Sequence, residues 1–566
     1  MISQIKEFFS TFTGNGNWLE KKQNSILSAA AIITVANVLS SLSGLVRERL
    51  LIANFFTSPQ TQRAYEAFQL AFQVPDMMFQ LIILGAVSAA LIPVFTQLKQ
   101  KEGEKTAFAM SSTAMSILLM IFIIASLVVA YFAKPITIWR TGHQYTAEQI
   151  EITARLTQIM LIAQLFFAVS NFLTGILQAY QRFIVPAVAP VLYNLGILLG
   201  VFFFSSSLGI YSAGVGVIIG ALIHMLIQVP LATKLGFRFK LNFSFSFPGV
   251  RDFFTLMPPR LLTIGISEAQ KLALGFFATS LGNLSFVVIR LGLRLMAIPI
   301  RLFGVPISQA SLPFLSAESS KKDLSRFASL VVEALHQIAF LAYPAAVLLL
   351  ILRVPFVRLI FGTHNFPWQT TLATARVVAV ISISIGAQAM VQLLIRAFHA
   401  LQDTMTPFWI TLSTTVIYLV GNWYFVFQTD LGVVGLAITT SLTAFLELIL
   451  CLVLLKRRLP HFSPRAFWLP QLKIITASFF MAVFLYLPFK ILDELVFNTT
   501  RTVELIGLTV TTSSIGMLVY LYFSALFEIK ELKLLTKLLT KFGAWREPLG
   551  EANEVLVEAS LDGDEV

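Results

Sequence analysis

Hydrophobic and polar positions alternate along this chain on a long wavelength: extended apolar runs are broken by short polar or Pro/Gly-containing connections. Runs of roughly 20 residues are what a helix needs to cross the hydrocarbon core of a bilayer. Fourteen can be marked, centred near residues 40, 82, 120, 165, 195, 221, 267, 301, 338, 385, 416, 443, 481 and 514. The pattern predicts an all-α polytopic membrane protein with 14 transmembrane helices and no large soluble domain. Composition strengthens this, with 57% hydrophobic and only 12% charged residues, where a soluble domain has about a quarter charged. The polar start, Met1 to Lys22, and an apolar run of about 30 residues after it do not fit a cleaved signal, whose apolar core is about 7–15 residues.

Charge then orients the spans. Lys21/Lys22, Lys99/Lys101/Lys105, Lys234/Arg238/Lys240, Lys321/Lys322 and Lys456/Arg457/Arg458 fall on one side if the spans alternate. The loops near 57–65, 206–210, 281–286 and 428–431 are nearly free of Lys and Arg. The positive-inside rule puts both termini in the cytoplasm. The formal charge of +12 is thus a matter of topology, and no nucleic acid is implied. Glu528 to Phe542 (EIKELKLLTKLLTKF) reads as a juxtamembrane amphipathic helix. The acidic stretch 547–566 reads as disordered.

A repeat is also legible. LIANFFTS (51–58) echoes LALGFFATS (272–280), SAALIPVF (88–95) echoes SQASLPFL (308–315), and GILQAYQRFIVP (175–186) echoes RAFHALQDTMTP (396–407). All three share an offset of 220 or 221 residues. The unit holds six spans, an even number, so both halves enter the membrane in the same sense. The expected organisation is a cytoplasmic segment 1–24, an N-lobe 25–235, a C-lobe 250–458, and two added helices in 470–527. The juxtamembrane helix, 528–546, and the acidic tail, 547–566, complete it. Two six-helix lobes in parallel repeat would surround a central cavity.

Ionisable residues inside a membrane cost at least about 2.5–3.5 kcal/mol each near a helix centre, so each is a functional candidate. Arg47, Glu48 and Arg49 stand in a row in span 1. In span 8, Arg290, Arg294 and Arg301 recur at i, i+4 and i+11, close to one helical face, with no carboxylate in the span. Guanidinium groups on one face suit an anion such as phosphate. Arg290, nearest the span end, is expected to reach for the interface. Span 7 adds Arg260 after Pro258-Pro259, and Glu268, Gln270 and Lys271, of which Glu268 and Lys271 are spaced to pair. Pro93 and Pro313 match at an offset of 220, and with Pro75 and Pro299 they are candidate gating bends in spans 2 and 8. The carboxylates of Asp252 and Asp403 are candidate ion-coupling groups, Asp403 alternatively a helix cap. Cys451 is the only cysteine and the six histidines lack ligand spacing, so no metal site or other cofactor is expected. No G-x-x-x-x-G-K-[ST] sequence occurs, so transport without nucleotide hydrolysis is expected.

SGLVRERLLIA, AFQLAFQVPD followed by GAVSAALIPVF, LRLMAIPIRLFGVPISQASLPFLS and RAFHALQDTMTP, in this order over about residues 27–456, resemble the MurJ (MviN) family. These are lipid II flippases of the multidrug/oligosaccharidyl-lipid/polysaccharide exporter superfamily. The resemblance implies two lobes forming a V-shaped cavity, with the last two helices as a groove for the polyprenyl tail. It implies movement of the lipid-linked peptidoglycan precursor to the outer leaflet of the bacterial cytoplasmic membrane. Arg47 would be the span-1 arginine the family needs, Glu48 the acid beside it, Arg294 the span-8 arginine and Glu66 a replacement for a span-2 aspartate. Ser41, Phe79 and Leu84 stand where the family carries arginine, arginine and an acid, and Arg49, Arg260 and Arg301 are candidates to compensate. Coupling would come from the membrane potential or a monovalent cation, and partners would be lipid II, membrane lipids and cell-wall synthesis enzymes. The alternatives are an exporter of another polyprenyl-diphosphate-linked glycan or a transport-inactive scaffold. A cation exporter would line its cavity with carboxylates rather than arginine, and a membrane glycosyltransferase would need acidic residues and a sizeable loop.

Overall fold

The structure, a computed structural model, describes residues 26–533 apart from 86, 143, 283, 322, 460–463 and 498–500. Side chains of 26–34, 88, 89, 259, 260 and 464 are outside the description as well. The expected segments 1–24 and 547–566, and most of the expected helix 528–546, therefore lie outside the described residues. Span 1 is Ile26–Phe55, span 3 Glu104–Tyr131, span 4 Ala147–Ala179 and span 5 Ile184–Leu208. Tyr211–Leu226 with Val229–Lys234 forms span 6, and Pro258–Ser280 forms span 7. Leu324–Ile351 is span 9, Met405–Phe427 span 11, Val433–Arg458 span 12, Pro464–Leu495 span 13 and Thr502–Leu526 span 14.

Spans 2, 8 and 10 are broken. Span 2 runs from Pro59–Ala71 through Gln73–Phe79 and two π-helical turns, Gln80–Leu84 and Val87–Leu91, to Ile92–Lys101. Span 8 is Ser285–Pro299, a π turn Ile300–Gly304 and Val305–Lys321. Span 10 bends by 49° between Trp368–Ser382 and Ile385–Ala400. Among the described residues, 11 helices are long and apolar enough to cross a membrane, or 12 with the bent pair. Spans 1 and 8, which carry the arginines, make this compatible with the fourteen expected.

The repeat is built into the packing. Spans 1 and 5, 2 and 3, 2 and 4, 3 and 4, 4 and 6, and 5 and 6 pack together. Six spans later the same pairs recur as 7 and 11, 8 and 9, 8 and 10, 9 and 10, 10 and 12, and 11 and 12. Local geometry repeats too. The π turns Gln80–Leu84 and Ile300–Gly304 lie 220 positions apart. Gln181 and Gln402, 221 apart, both adopt left-handed φ, 58° and 59°. Each sits in a helix-ending turn closed by a long-reach amide, Arg182 N–H to Leu177 O and Asp403 N–H to Phe398 O, at 2.8 and 2.9 Å. A glutamine pays for left-handed backbone, so its occurrence in both halves reflects a turn that the lobe architecture requires.

Within the N-lobe, spans 5 and 6 meet through glycines. A Cβ on Gly196 would lie 2.3 Å from Gly220 Cα, and one on Gly200 2.3 Å from Gly216 Cα. Helices in lipid gain association from such close backbone approach. Spans 13 and 14 pack on each other and on span 9. Tyr520 donates to Phe340 O at 2.7 Å, Tyr343 to Gln471 Oε1 at 3.1 Å, and Phe480 stacks on Phe523 at 4.3 Å.

Polar contacts between the lobes gather toward the end opposite the basic loops. Asn365 Nδ2 donates to Ala53 O (3.1 Å), Gln73 Nε2 to Lys271 O (3.0 Å) and Gly142 N–H to Thr279 Oγ1 (3.3 Å). Spans 2 and 7 also touch farther toward the basic end, where Leu261 and Ile264 pack against Gly85.

Candidate functional site

Span 1 presents Arg47, Glu48 and Arg49 about 100° apart in succession, so three neighbours meet three different environments. Glu48, 1% exposed, points toward spans 2 and 8. It accepts hydrogen bonds from the Tyr65 hydroxyl, from Gln69 Nε2 at 2.8 Å and from the Arg294 guanidinium of the other lobe. Arg47 completes the set at 3.5 Å. A buried carboxylate is tolerated when its charge is paired and its oxygens are hydrogen-bonded. Here both conditions hold.

Arg47 is itself positioned from span 5. Its Nη1 donates to Asn194 Oδ1 at 3.0 Å, while Asn194 Nδ2 donates to Ser43 Oγ (2.9 Å) and Ser40 O (3.2 Å). The Arg47 Nε is buried without a partner. One turn from Arg294, Arg290 donates to the span-2 carbonyl of Gln69 at 3.0 Å and lies 5.5 Å from the Phe286 ring. The expectation that Arg290 reaches the interface is thus corrected: it bridges the lobes. Glu48, Tyr65, Gln69, Arg290 and Arg294 face one recess with Val287 and Leu291. Arg47, Arg290 and Arg294 against Glu48 leave an excess of positive charge there. Chemically, guanidinium groups in excess over one internal carboxylate are suited to an anion.

Two more contacts tie the lobes beside it. Glu66, 3% exposed, accepts from the Phe286 amide at the start of span 8 (3.3 Å) and from Gln149 Nε2 (3.4 Å). A carboxyl oxygen there takes up one of the otherwise unsatisfied amides of a helix start. Arg49 does not join the recess as expected; its guanidinium donates to Leu359 O in the short helix Arg353–Phe361. Arg301 is exposed in the π turn Ile300–Gly304. Gln270 donates to Thr415 Oγ1 of span 11 at 2.6 Å, and Lys271 pairs with Glu268 at 2.6 Å. Arg260 begins span 7, with its side chain outside the described residues.

The candidate coupling carboxylates lie elsewhere. Asp252 is exposed on a short helix, Val250–Thr255, before span 7. Asp403 accepts from Thr406 N–H (2.9 Å) and Oγ1 (2.7 Å) and pairs with Arg458 at 3.2 Å. Its oxygens are committed to a helix start, which corrects the ion-coupling expectation. Among the described residues, no group of three His, Cys, Asp or Glu side chains is arranged to hold a metal. Of the prolines, Pro299 leads directly into the π turn of span 8, Pro93 follows the π turns of span 2, and Pro75 and Pro313 lie within helical segments. Single π turns are frequent where a helix must deform for function.

Comparison with known proteins decides the family. A family model described as "Lipid II flippase MurJ" matches residues 55–503. The chain belongs to the MurJ family. It is 26% identical over 448 residues to "Lipid II flippase MurJ" of Burkholderia cenocepacia, covering 78% of this chain and 86% of that protein. It is 25% identical over 518 residues to "Probable lipid II flippase MurJ" of Thermotoga maritima, covering 90% and 98%. Its fold matches "Lipid II flippase MurJ, inward closed conformation" with a TM-score of 0.72 at 21% identity, over 88% and 98% of the two chains. An inward-facing multidrug MATE transporter of the MOP superfamily follows at TM-score 0.62 and 14% identity, over 76% and 98%. This MurJ-family protein is therefore a multi-pass membrane transporter by fold and family.

Sequence reasoning missed Tyr65, Gln69 and Asn194 because they are neutral. A signal was present. Tyr65, Gln69, Gln73, Asp76 and Gln80 form a polar stripe at helical spacing along an otherwise apolar span.

Proposed function

We propose that this protein moves lipid II from the cytoplasmic to the outer leaflet of the cytoplasmic membrane by alternating access, without nucleotide hydrolysis. Both termini face the cytoplasm, so the joined end of the lobes faces outward and the cavity is loaded from inside. The lobes are 25–235 and 250–458, and the helices within 470–527 carry the polyprenyl tail. The observation that carries the reading is the ion pair between Glu48 of one lobe and Arg294 of the other, beside Arg47.

In this reading Glu48 is a resident counter-ion. A diphosphate carries more negative charge than one carboxylate and takes bidentate bonds from guanidinium, so it competes for Arg47 and Arg294. Releasing Glu48 removes a bond between the lobes, and loading thereby favours opening of the outer end. Arg290 and Glu66 hold the same end through Gln69 O and Phe286 N. Binding thus acts on a two-state element through differential contacts. The driving force is the membrane potential or a coupled monovalent cation.

The test is complementation of a flippase-depleted bacterium with the wild type, Arg47→Ala and Arg294→Ala, with expression verified. The wild type should rescue and both variants should fail. Failure of the expressed wild type counts against lipid II as substrate. Rescue by both alanine variants sinks the site. Retention of a diphosphate lipid in native mass spectrometry should fall with Arg294→Ala.

A further inference from the structure

The connection between the lobes has a pattern that transport does not explain. Phe237 to Phe247 reads FRFKLNFSFSF, apolar at every odd position and polar at every even one. Strict alternation is the signature of a strand with two different faces. Yet no strand occurs among the described residues, and this stretch runs as an irregular extended segment into a turn. The two faces need another explanation.

Its neighbour is span 3. The Lys240 amide donates to Ser112 Oγ at 2.8 Å and the Asn242 amide to Ser116 Oγ at 3.3 Å. Phe237 packs on Phe108, with ring centroids 5.9 Å apart. Going from Phe108 to Ser112 to Ser116 climbs one turn of helix at a time, so the linker runs along span 3 from its basic end inward. Over Met110–Leu118 span 3 is buried at every position, whereas Ile121, Ile123, Ile124, Leu127 and Val128 beyond are exposed. A membrane helix buried on all sides has no lipid-facing stripe left. The linker covers that stripe, and its own outer surface replaces it. Phe239, Leu241, Phe243 and Phe245 are 46%, 70%, 43% and 59% exposed.

Depth follows from helix geometry. Ser112 is about 12 Å along span 3 from Glu104 at about 1.5 Å per residue. The apolar run of span 3 begins only after Ser111-Ser112-Thr113: residues 114–131, interrupted by Ser116 and Ser126, extend about 27 Å, close to the roughly 30 Å of a hydrocarbon core, so Ser112 lies about 3 Å outside its edge and Ser116 about 3 Å inside. The linker thus lies at the headgroup–acyl boundary. Extended backbone with free amides and carbonyls is excluded from dry hydrocarbon but tolerated where water reaches. The serine hydroxyls take up two of those amides. Aromatic rings favour this boundary, and long basic side chains extend from it to the headgroups.

We propose that Phe237–Phe247 is a lipid-binding element in its own right, at the end that the proposed orientation makes cytoplasmic. Its exposed phenylalanines enter the acyl boundary of that leaflet, and Arg238 and Lys240 hold anionic phospholipid headgroups. The occupant is lipid rather than protein because the surface is continuous with the exposed face of span 3. Its two cations also match the charge of an anionic leaflet.

The test uses full-length protein carrying Cys451→Ser and one introduced cysteine, at Phe243 or at Ser244, labelled with NBD. Samples are reconstituted in phosphatidylcholine nanodiscs with and without phosphatidylglycerol. Brominated acyl chains should quench the probe at 243 severalfold more than at 244, and phosphatidylglycerol should increase the difference. Arg238→Gln with Lys240→Gln should raise the phosphatidylglycerol fraction required by about fivefold per charge removed. Equal quenching at 243 and 244 overturns the proposal, as does an unchanged lipid requirement in the charge-neutral variant. Protection of position 243 from both lipid and aqueous iodide would mean a protein partner and also overturns it. The readout is local and is informative whether or not lipid II transport is observed.

Discussion

Replacing Glu48 by glutamine isolates the charge that joins the lobes. The side chain keeps its shape and can still bond to Tyr65 and Gln69, but it no longer receives a charge-assisted bond from Arg294. Hydrogen bonds to charged groups contribute about 1.5–3 kcal/mol net. In the proposed cycle this bond is made while the outer end is shut and broken when it opens, so its loss acts on the closed–open equilibrium rather than on either lobe's fold. A bias of that size corresponds to a factor of about 10–150 in the closed-to-open ratio. Nitroxides at Thr57→Cys and His364→Cys, both exposed and flanking the Asn365–Ala53 contact, report this gap on a Cys451→Ser background. Pulsed dipolar spectroscopy should find a longer-distance population at least about tenfold larger in Glu48→Gln than in the parent. Arg294→Gln added to Glu48→Gln should change little further, because both remove one interaction. An unchanged distance distribution, or fully additive effects, would refute the latch.

Two further outcomes test the scaffold. Gly200→Leu forces a side chain into the contact with Gly216 and should destabilise the N-lobe by about 1–3 kcal/mol, read as a lower unfolding temperature in detergent. Burial acts to raise the Asp403 carboxyl pKa, but Thr406 and Arg458 outweigh it and hold the group below the usual aspartate value. A depressed carboxyl pKa stabilises the fold above the ordinary aspartate range, and that contribution disappears as pH falls through the folded-state value. Asp403→Asn should therefore cost about 1 kcal/mol at neutral pH, with wild type and variant converging in acid. A difference that persists in acid would contradict the assignment.

Much of the fold was legible because lipid leaves a chain few options. Runs such as Glu104–Tyr131 and Ala147–Ala179 satisfy their backbone internally and must be apolar over their length, so they appear in the sequence as they do in space. The broken spans were less legible. Pro93 and Pro299 mark where spans 2 and 8 deviate, but nothing in QLIIL or IRLFG announces a π turn. Such a turn adds one residue to a helical loop and changes no composition. Gln181 and Gln402 show the same limit: left-handed backbone at glutamine follows from the turn each lobe requires, not from the residue.

The sequence by itself determined the class of protein, the spans, their six-helix repeat and the excess of arginine over carboxylate in spans 1 and 8. These follow from local rules: hydrophobic length, charge placement and periodicity. Only the tertiary structure decided how the charges were shared. Arg47, Glu48 and Arg49 are adjacent, yet Arg47 rests on Asn194 of span 5, Glu48 on Arg294 of span 8 and Arg49 on Leu359 beyond span 9. A helix turns about 100° per residue, so neighbours in sequence are sent to different partners. Which partners wait there depends on how the two lobes meet. That contact is non-local, with Glu48 and Arg294 separated by 246 positions, and no window along the chain contains it.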